Sequence, residues 1–158
     1  MYTLDDIDRK MLRLLQQNAK YTTKELAAHL GLTTTPVHER LKRLERDGFI
    51  TGYVALLDPK KVDQGMLAFC EVSLNQHSHD YLKAFEAAVK PMEEVVALHH
   101  MAGRFDYLLK VIVKDMNEYQ LFVNERLSRV TGIRQVQTSF VLNEVKNTTA
   151  IPLPRKGK

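Results

Sequence analysis

Cysteine is nearly absent: Cys70 alone occurs in 158 residues, so no disulfide can close within the chain, and a reducing compartment suits that usage. No apolar run reaches the length that spans a bilayer. The chain opens Met1-Tyr2-Thr3-Leu4-Asp5-Asp6, acidic where a secretory leader is basic, and no leader-like apolar stretch follows. These features predict a cytoplasmic protein without a membrane segment. No glycine loop of the phosphate-cradling kind is visible, and serine, histidine and aspartate fall in no order beyond chance; no catalytic residue is assigned. His77-x-His79 and His99-His100 invite a metal reading, but neither has glutamate or cysteine at ligand spacing, and neighbours on a strand point to opposite faces. No metal site or cofactor is assigned. Cys70, in an alternating apolar run, reads as a small core residue rather than a nucleophile.

What is present is ordinary for a folded domain, or for two small ones: 44% hydrophobic and 27% charged residues. A formal charge of +4 is compatible with a polyanionic partner, but Lys146, Arg155, Lys156 and Lys158 gather near the C-terminus. What counts is whether the rest collects on one face.

The first third reads as three helices. Thr3 to Gln17 forms the first, with Thr3 as cap, Asp6 at the acid position of a capping box, and Ile7, Met11, Leu14 and Leu15 on one face. Thr23 to Leu30 forms the second, with Leu26, Ala27 and Leu30 buried and Gly31 ending it in the left-handed conformation. The third starts within Thr33-Thr34-Thr35-Pro36, buries Val37, Leu41 and Leu44, and stops at Gly48. At 100° per residue its opposite side carries Thr35, Glu39, Lys42, Arg43 and Arg46. Two short helices meeting at a small residue and a glycine turn form the pattern of a helix-turn-helix, whose second helix enters the major groove by its N-terminal end. Thr34, Thr35, His38, Glu39, Lys42, Arg43 and Arg46 are the candidate DNA-binding residues. Basic side chains would hold phosphates or guanine edges, and Glu39 would accept from cytosine. A three-helix core with a merely solvated outer face explains the same charges, Glu39 beside Arg43 included.

A strand is predicted from Phe49 to Leu57, then a turn at Asp58-Pro59-Lys60-Lys61. After Gly65 the period changes repeatedly. Met66 to Leu74 alternates as a strand, Tyr81 to Val89 is helical, and Val95 to Met101 is a strand. Tyr107, Leu109, Val111 and Val113 line another strand, Met116 to Val130 is helical, and Ile133 to Val145 is the last strand. This order is the ferredoxin-like βαββαβ plan, an α+β fold with two helices on one face of a four-stranded antiparallel sheet. The other face is partly apolar and argues for a dimer packed sheet against sheet. The predicted boundaries are residues 1–50 for the helix-turn-helix (winged-helix-like) domain, 51–64 for a connecting strand and hinge, 65–147 for the second domain, and 148–158 for a loose basic tail.

The chain resembles the leucine-responsive and asparagine regulator (Lrp/AsnC) family over nearly its whole length. The marks are Leu26-Ala27-x-x-Leu30-Gly31-Leu32, Val37-x-x-Arg40-x-x-x-Leu44-Glu45-x-x-Gly48-x-Ile50, Gly103-Arg104-Phe105-Asp106-Tyr107-Leu108-Leu109-Lys110-Val111, and Thr138. Where family proteins usually start the reading helix with serine, Thr33 stands here. The resemblance implies dimers joined through the second domain and the connecting strand, commonly assembled into octamers or other rings of dimers. It also implies an amino-acid effector held between dimers, which assigns His100, Gly103, Arg104, Phe105, Asp106, Val136 and Thr138 as candidates. Gly103 would expose amides to a carboxylate, Asp106 would pair with an α-amino group, and Arg104 with a carboxylate. A glycine hairpin with solvated Asp106 and Arg104 explains the same letters.

The predicted function is that of a DNA-binding transcriptional regulator whose assembly or DNA binding responds to an amino acid or related metabolite. The alternative is an enzyme of the same architecture: decarboxylases acting on sirohaem resemble this family and would use histidines such as His99 or His100. A scaffold that only oligomerises is the third reading.

Overall fold

The computed structural model describes residues 3–154. Two compact units divide them: the chain up to Ala55 joined by the segment from Lys146 onward, and Leu56–Val145.

Three helices make the first unit: α1 (Asp6–Gln17), α2 (Thr23–Leu30) and α3 (Thr34–Arg46). The start of α1 lies further along than the sequence suggests. Asp5, not Thr3, is the cap, and the reciprocal acid is Asp8 rather than Asp6: the Asp8 amide donates to Asp5 Oδ1 (2.7 Å), and the Asp5 amide donates to Asp8 Oδ2 (3.1 Å). A second capping box, Thr22 with Glu25, opens α2. Gly31, at φ 69°, ends that helix, and Leu32 N–H returns to the Ala27 carbonyl (3.0 Å), closing the last turn. Gly48 (φ 76°) does the same service after α3, where the Phe49 and Ile50 amides both donate to the Leu44 carbonyl. Met11, Leu12, Leu15, Leu26, Ala27, Val37 and Leu44 fill the core between the helices. Ile7 and Leu14, expected on the buried face of α1, are only half-buried, and Leu12 takes the place beside Met11 and Leu15.

Two segments differ from the sequence reading here. Residues 49–57 form no strand. Tyr53, Val54, Leu56 and Leu57 are exposed, and among the described residues no strand pairs with the segment. The tail after 147 is not loose throughout. Ile151 N–H donates to Gln16 Oε1 (2.6 Å) and Gln16 Nε2 donates to the Ile151 carbonyl (3.2 Å). Arg13 donates to the Leu153 carbonyl (3.2 Å), and Leu153 packs on the helical core. The Ile151 backbone, paired with Gln16, and the Leu153 side chain fix the segment on α1 despite the neighbouring prolines. Arg155, Lys156 and Lys158 lie outside the described residues.

In the second unit β1 (Met66–Leu74), α4 (His79–Val89), β2 (Val95–His100), β3 (Tyr107–Val113), α5 (Met116–Leu121) and β4 (Ile133–Phe140) follow in order. The sheet is antiparallel, in the order β2-β3-β1-β4. Ala68, Cys70, Val72, Leu74 and Tyr107, Leu109, Val111, Val113 point to one face and pack on Phe85, Val89, Tyr119 and Phe122 of the helical layer. The predicted long helix to Val130 is broken after α5: a π turn (Phe122–Arg126) and a 3-10 turn (Leu127–Arg129) continue it. A π turn aligns residues five apart, which lets both Phe122 and Leu127 be buried; a regular helix would rotate one of them away. The last strand stops at Phe140 instead of Val145. Its partner β1 begins at Met66, and the ladder between them ends where Val141 N–H reaches the Leu67 carbonyl (2.9 Å).

Candidate nucleic-acid interface and sensor face

Why α3 presents the face it does follows from its buried stripe. Val37 and Leu44 are fully enclosed, which turns Thr34, Thr35, His38, Glu39, Lys42 and Arg46 outward, all exposed. Six of the seven candidate DNA-binding residues therefore share one accessible face. Its cations are held by surface pairs: Lys42 Nζ to Glu45 (3.3 Å) and Arg46 Nε to Asp47 (2.9 Å).

Arg43 departs from the group. At the flank of that face, its guanidinium donates to Asp8 Oδ1 (3.2 Å). The same oxygen accepts from Arg40 (2.8 Å), which also reaches Asp5 (2.5 Å). Asp8 is fully buried, with 0% exposure, and these carboxylates, Asp5 first, raise the Arg40 pKa. By residue type alone Asp8 is one more acid in the first turn of α1. The signal was there in principle: an acid on the apolar side of α1, one position from Ile7 and three from Met11, has to find a cation.

The sensor candidates are not brought together within one chain. Thr138, on β4 opposite Cys70, is hydrogen-bonded to the Tyr119 hydroxyl and lies 3.6 Å from Cys70 Sγ. Burial is the main cause that pushes the Tyr119 hydroxyl up to about 12. Val136 packs against the same core, so both residues face the helical layer. His100 stacks on the Tyr107 ring (4.8 Å between centroids). Asp106 is committed: its Oδ2 accepts from Leu74 N–H (2.7 Å), and His77 Nε2 lies 2.9 Å from Oδ1. Its backbone carbonyl takes the Met101 amide and its amide reaches the Val72 carbonyl. The carboxylate assigned to an α-amino group thus latches the 101–106 turn onto the end of β1. Gly103 is not in the left-handed region, and a Cβ there would meet nothing within 4 Å, so the turn itself does not require glycine.

Arg104 and Phe105 lie on the other side of the sheet, in a cleft of about 180 Å³ with Glu71, Ser73, Arg134, Gln135 and Gln137. The cleft is lined by two guanidiniums, Arg104 and Arg134, and one carboxylate, Glu71. A larger cleft, about 530 Å³, is elsewhere: Glu93, Glu118 and Glu125 surround Val96, Ile112 and Leu121. None of the seven sensor candidates lines it, and volume alone does not make it the better site. Among the described residues no group of three histidine, cysteine or acidic side chains is placed to hold a metal ion, and no helix is long and apolar enough to cross a membrane.

A tri-helical unit with an exposed, basic second helix of the turn, followed by a βαββαβ unit, defines a two-domain DNA-binding regulator of transcription. The comparisons agree. A profile described as winged helix-turn-helix DNA-binding matches residues 4–51, and one described as the Lrp/AsnC ligand binding domain matches 67–151. The chain belongs to the Lrp/AsnC family. It is 43% identical over 150 residues to the DNA-binding transcriptional activator DecR of Escherichia coli, covering 95% of this chain and 99% of that one. It is also 43% identical over 148 residues to the leucine-responsive regulatory protein of Salmonella typhimurium, covering 94% and 90%. A transcriptional regulator of Neisseria meningitidis, solved in complex with L-methionine, superposes with a TM-score of 0.91 at 39% identity, over 95% of this chain and 97% of that one. These relatives are regulators by name, and the tetrapyrrole enzyme gives way to that reading.

Proposed function

We propose that this protein works in the cytoplasm, reads double-stranded DNA with the outer face of α3, and responds to an amino acid or a closely related metabolite through its second unit. Thr34, Thr35, His38 and Glu39 stand near the N-terminal end of the helix, where base edges come within reach; Lys42 and Arg46 serve phosphates. The observation that carries the reading is that one accessible face of α3 holds all six, locked outward by fully buried Val37 and Leu44.

Dimers would form through the outer face of the sheet and the apolar segment around Tyr53–Leu57, and assemble into octamers or other rings of dimers. Two features support this: the exposure of Val54, Leu56 and Leu57, and the residues of Leu67, Phe69, Leu108 and Ile112 that alternate with the core-facing set in the β1 and β3 register. The effector would sit at the Arg104 side of the sheet, with a second copy completing a cleft that is smaller than the ~300 Å³ at which ligand pockets usually begin. The L-methionine bound to the Neisseria relative is the reason for choosing an amino acid as the effector; the charges of the Arg104 cleft are the reason for placing it there.

The test is a fluorescence-anisotropy titration with duplex DNA from upstream of the protein's own gene, in excess competitor DNA, with and without a pool of amino acids. Competitor-resistant binding that one amino acid shifts is the expected result. Binding no stronger than to competitor, on that fragment and on a genomic panel, would sink the DNA half; binding indifferent to every amino acid would sink the sensor half.

A further inference from the structure

We infer that Asp8 withholds Arg43 from DNA, so that the phosphate-binding charge of the reading helix is set by Lys42 and Arg46 alone. The inference rests on the reading of α3 given above. Around the helix axis Arg43 follows directly after Glu39 and Arg46, and by position it belongs to the DNA-facing set. Its guanidinium nevertheless points to the Asp8 carboxylate on α1, 3.2 Å away.

The three cations differ in what leaving their partner costs. Lys42 and Arg46 are 64% and 74% exposed and paired with acids that are themselves in contact with water. Such pairs are worth little and are screened by salt, so exchanging Glu45 or Asp47 for a phosphate is nearly free. Asp8 is 0% exposed. Moving Arg43 to a phosphate would take one of two guanidiniums away from a buried carboxylate, and the other, Arg40, is shared with Asp5. A buried charge losing a partner is heavily penalised. The phosphate would have to make good that penalty, and an exposed, hydrated phosphate contact does not. Asp8 is therefore a positioning residue: it keeps one arginine per reading helix out of the sequence-independent attraction to the DNA backbone, which favours selectivity over bulk affinity.

The experiment uses the full-length chain and an unrelated duplex, and reads the slope of log affinity against log salt. Each phosphate contact contributes about 0.9 to that slope. Lys42→Gln and Arg46→Gln are each expected to reduce it by about 0.9 per bound helix, while Arg43→Gln leaves it unchanged. Asp8→Asn, which keeps the side chain's shape and releases Arg43, is expected to steepen it by a similar amount and to tighten binding to the unrelated duplex. Circular dichroism checks that each variant is folded. A slope that Arg43→Gln reduces as much as Lys42→Gln does would overturn the inference, and so would an unchanged slope in folded Asp8→Asn. If Asp8→Asn does not fold, the Arg43→Gln comparison decides. Slopes unaffected by all three α3 variants would remove the helix from the interface and the inference with it, a pattern distinct from loss at Arg43.

Discussion

Replacing Asp8 with alanine tests whether the ion cluster of the first unit behaves as a buried site or as surface decoration. The carboxylate is fully enclosed and accepts from Arg40 (2.8 Å), Arg43 (3.2 Å) and the Asp5 amide (3.1 Å). Removing one member of a buried pair typically costs about 3–5 kcal/mol. Two features place this case at the lower end. The arginines keep 24% and 31% exposure, so water takes up part of the released charge, and Arg40 retains Asp5 at 2.5 Å. A loss of about 3 kcal/mol follows, equivalent to roughly 100-fold in the opening equilibrium. Amide hydrogen exchange reads it without interference from the second unit: α1 and α3 amides should lose protection by that factor while β1 amides keep theirs. Asp47→Ala, which removes the exposed pair with Arg46, serves as the reference and should change protection by less than about 1 kcal/mol. If Asp8→Ala also fell below about 1 kcal/mol, the burial argument would be wrong, and with it the reason for setting Arg43 apart from Lys42 and Arg46.

Two other perturbations follow from local geometry. Gly31→Ala places a side chain at φ 69° with nothing within 4 Å of its Cβ, so the cost read by urea titration is backbone strain alone, about 1 kcal/mol; Gly52→Ala, equally open and without positive φ, should be close to neutral in the same titration. Glu25 titrates below its ordinary 4.5 chiefly because it accepts from the Thr22 amide, then from the Thr22 hydroxyl. A carboxylate whose pKa is lowered by folding stabilises the fold above its unfolded value and loses that contribution as pH falls through the folded one. Wild type and Glu25→Gln should therefore differ in thermal stability above pH 4.5 and converge as the solution is acidified below it; curves that stayed parallel would exclude Glu25 as the cause.

Elements built on strong periodicity were legible in the sequence: α2 with its glycine stop, the stripe of α3, and the alternation of β1 and β3. Features that depend on a second element were not. The cap of α1 was misplaced because Thr3, Asp5 and Asp6 are all acceptable caps by residue type, and only the reciprocal bonds of Asp5 and Asp8 choose between them. The end of β4 depends on where β1 begins, and the π turn after α5 on how Phe122 and Leu127 are both buried. Arg43 looked like its neighbours because helical angle was visible and Asp8 was not. The tail reads as loose from Pro152 and Pro154, yet one apolar side chain, Leu153, and the bonds of Gln16 and Arg13 to its backbone hold the segment.

The two candidate sites also differ in how much of each a single chain can hold. The DNA-reading face needs one helix whose azimuth is fixed by its own core, and every determinant of that azimuth (Val37, Leu44, the Asp8 cluster) lies within the first unit. On the proposed reading the sensor is different in kind. Thr138 and Val136 point into the helical layer, Arg104 and Phe105 occupy the opposite side, and Asp106 is consumed in holding the turn. No rotation of side chains on one chain unites these positions, since the sheet lies between them. An effector that needs more than the Arg104 cleft has to take the remainder from another copy. Ligand binding and assembly are then linked reciprocally: whatever free energy the effector gains from the second copy, the assembly gains from the effector. Effector affinity should accordingly rise with protein concentration, whereas a site complete within one chain would bind with the same affinity at every concentration.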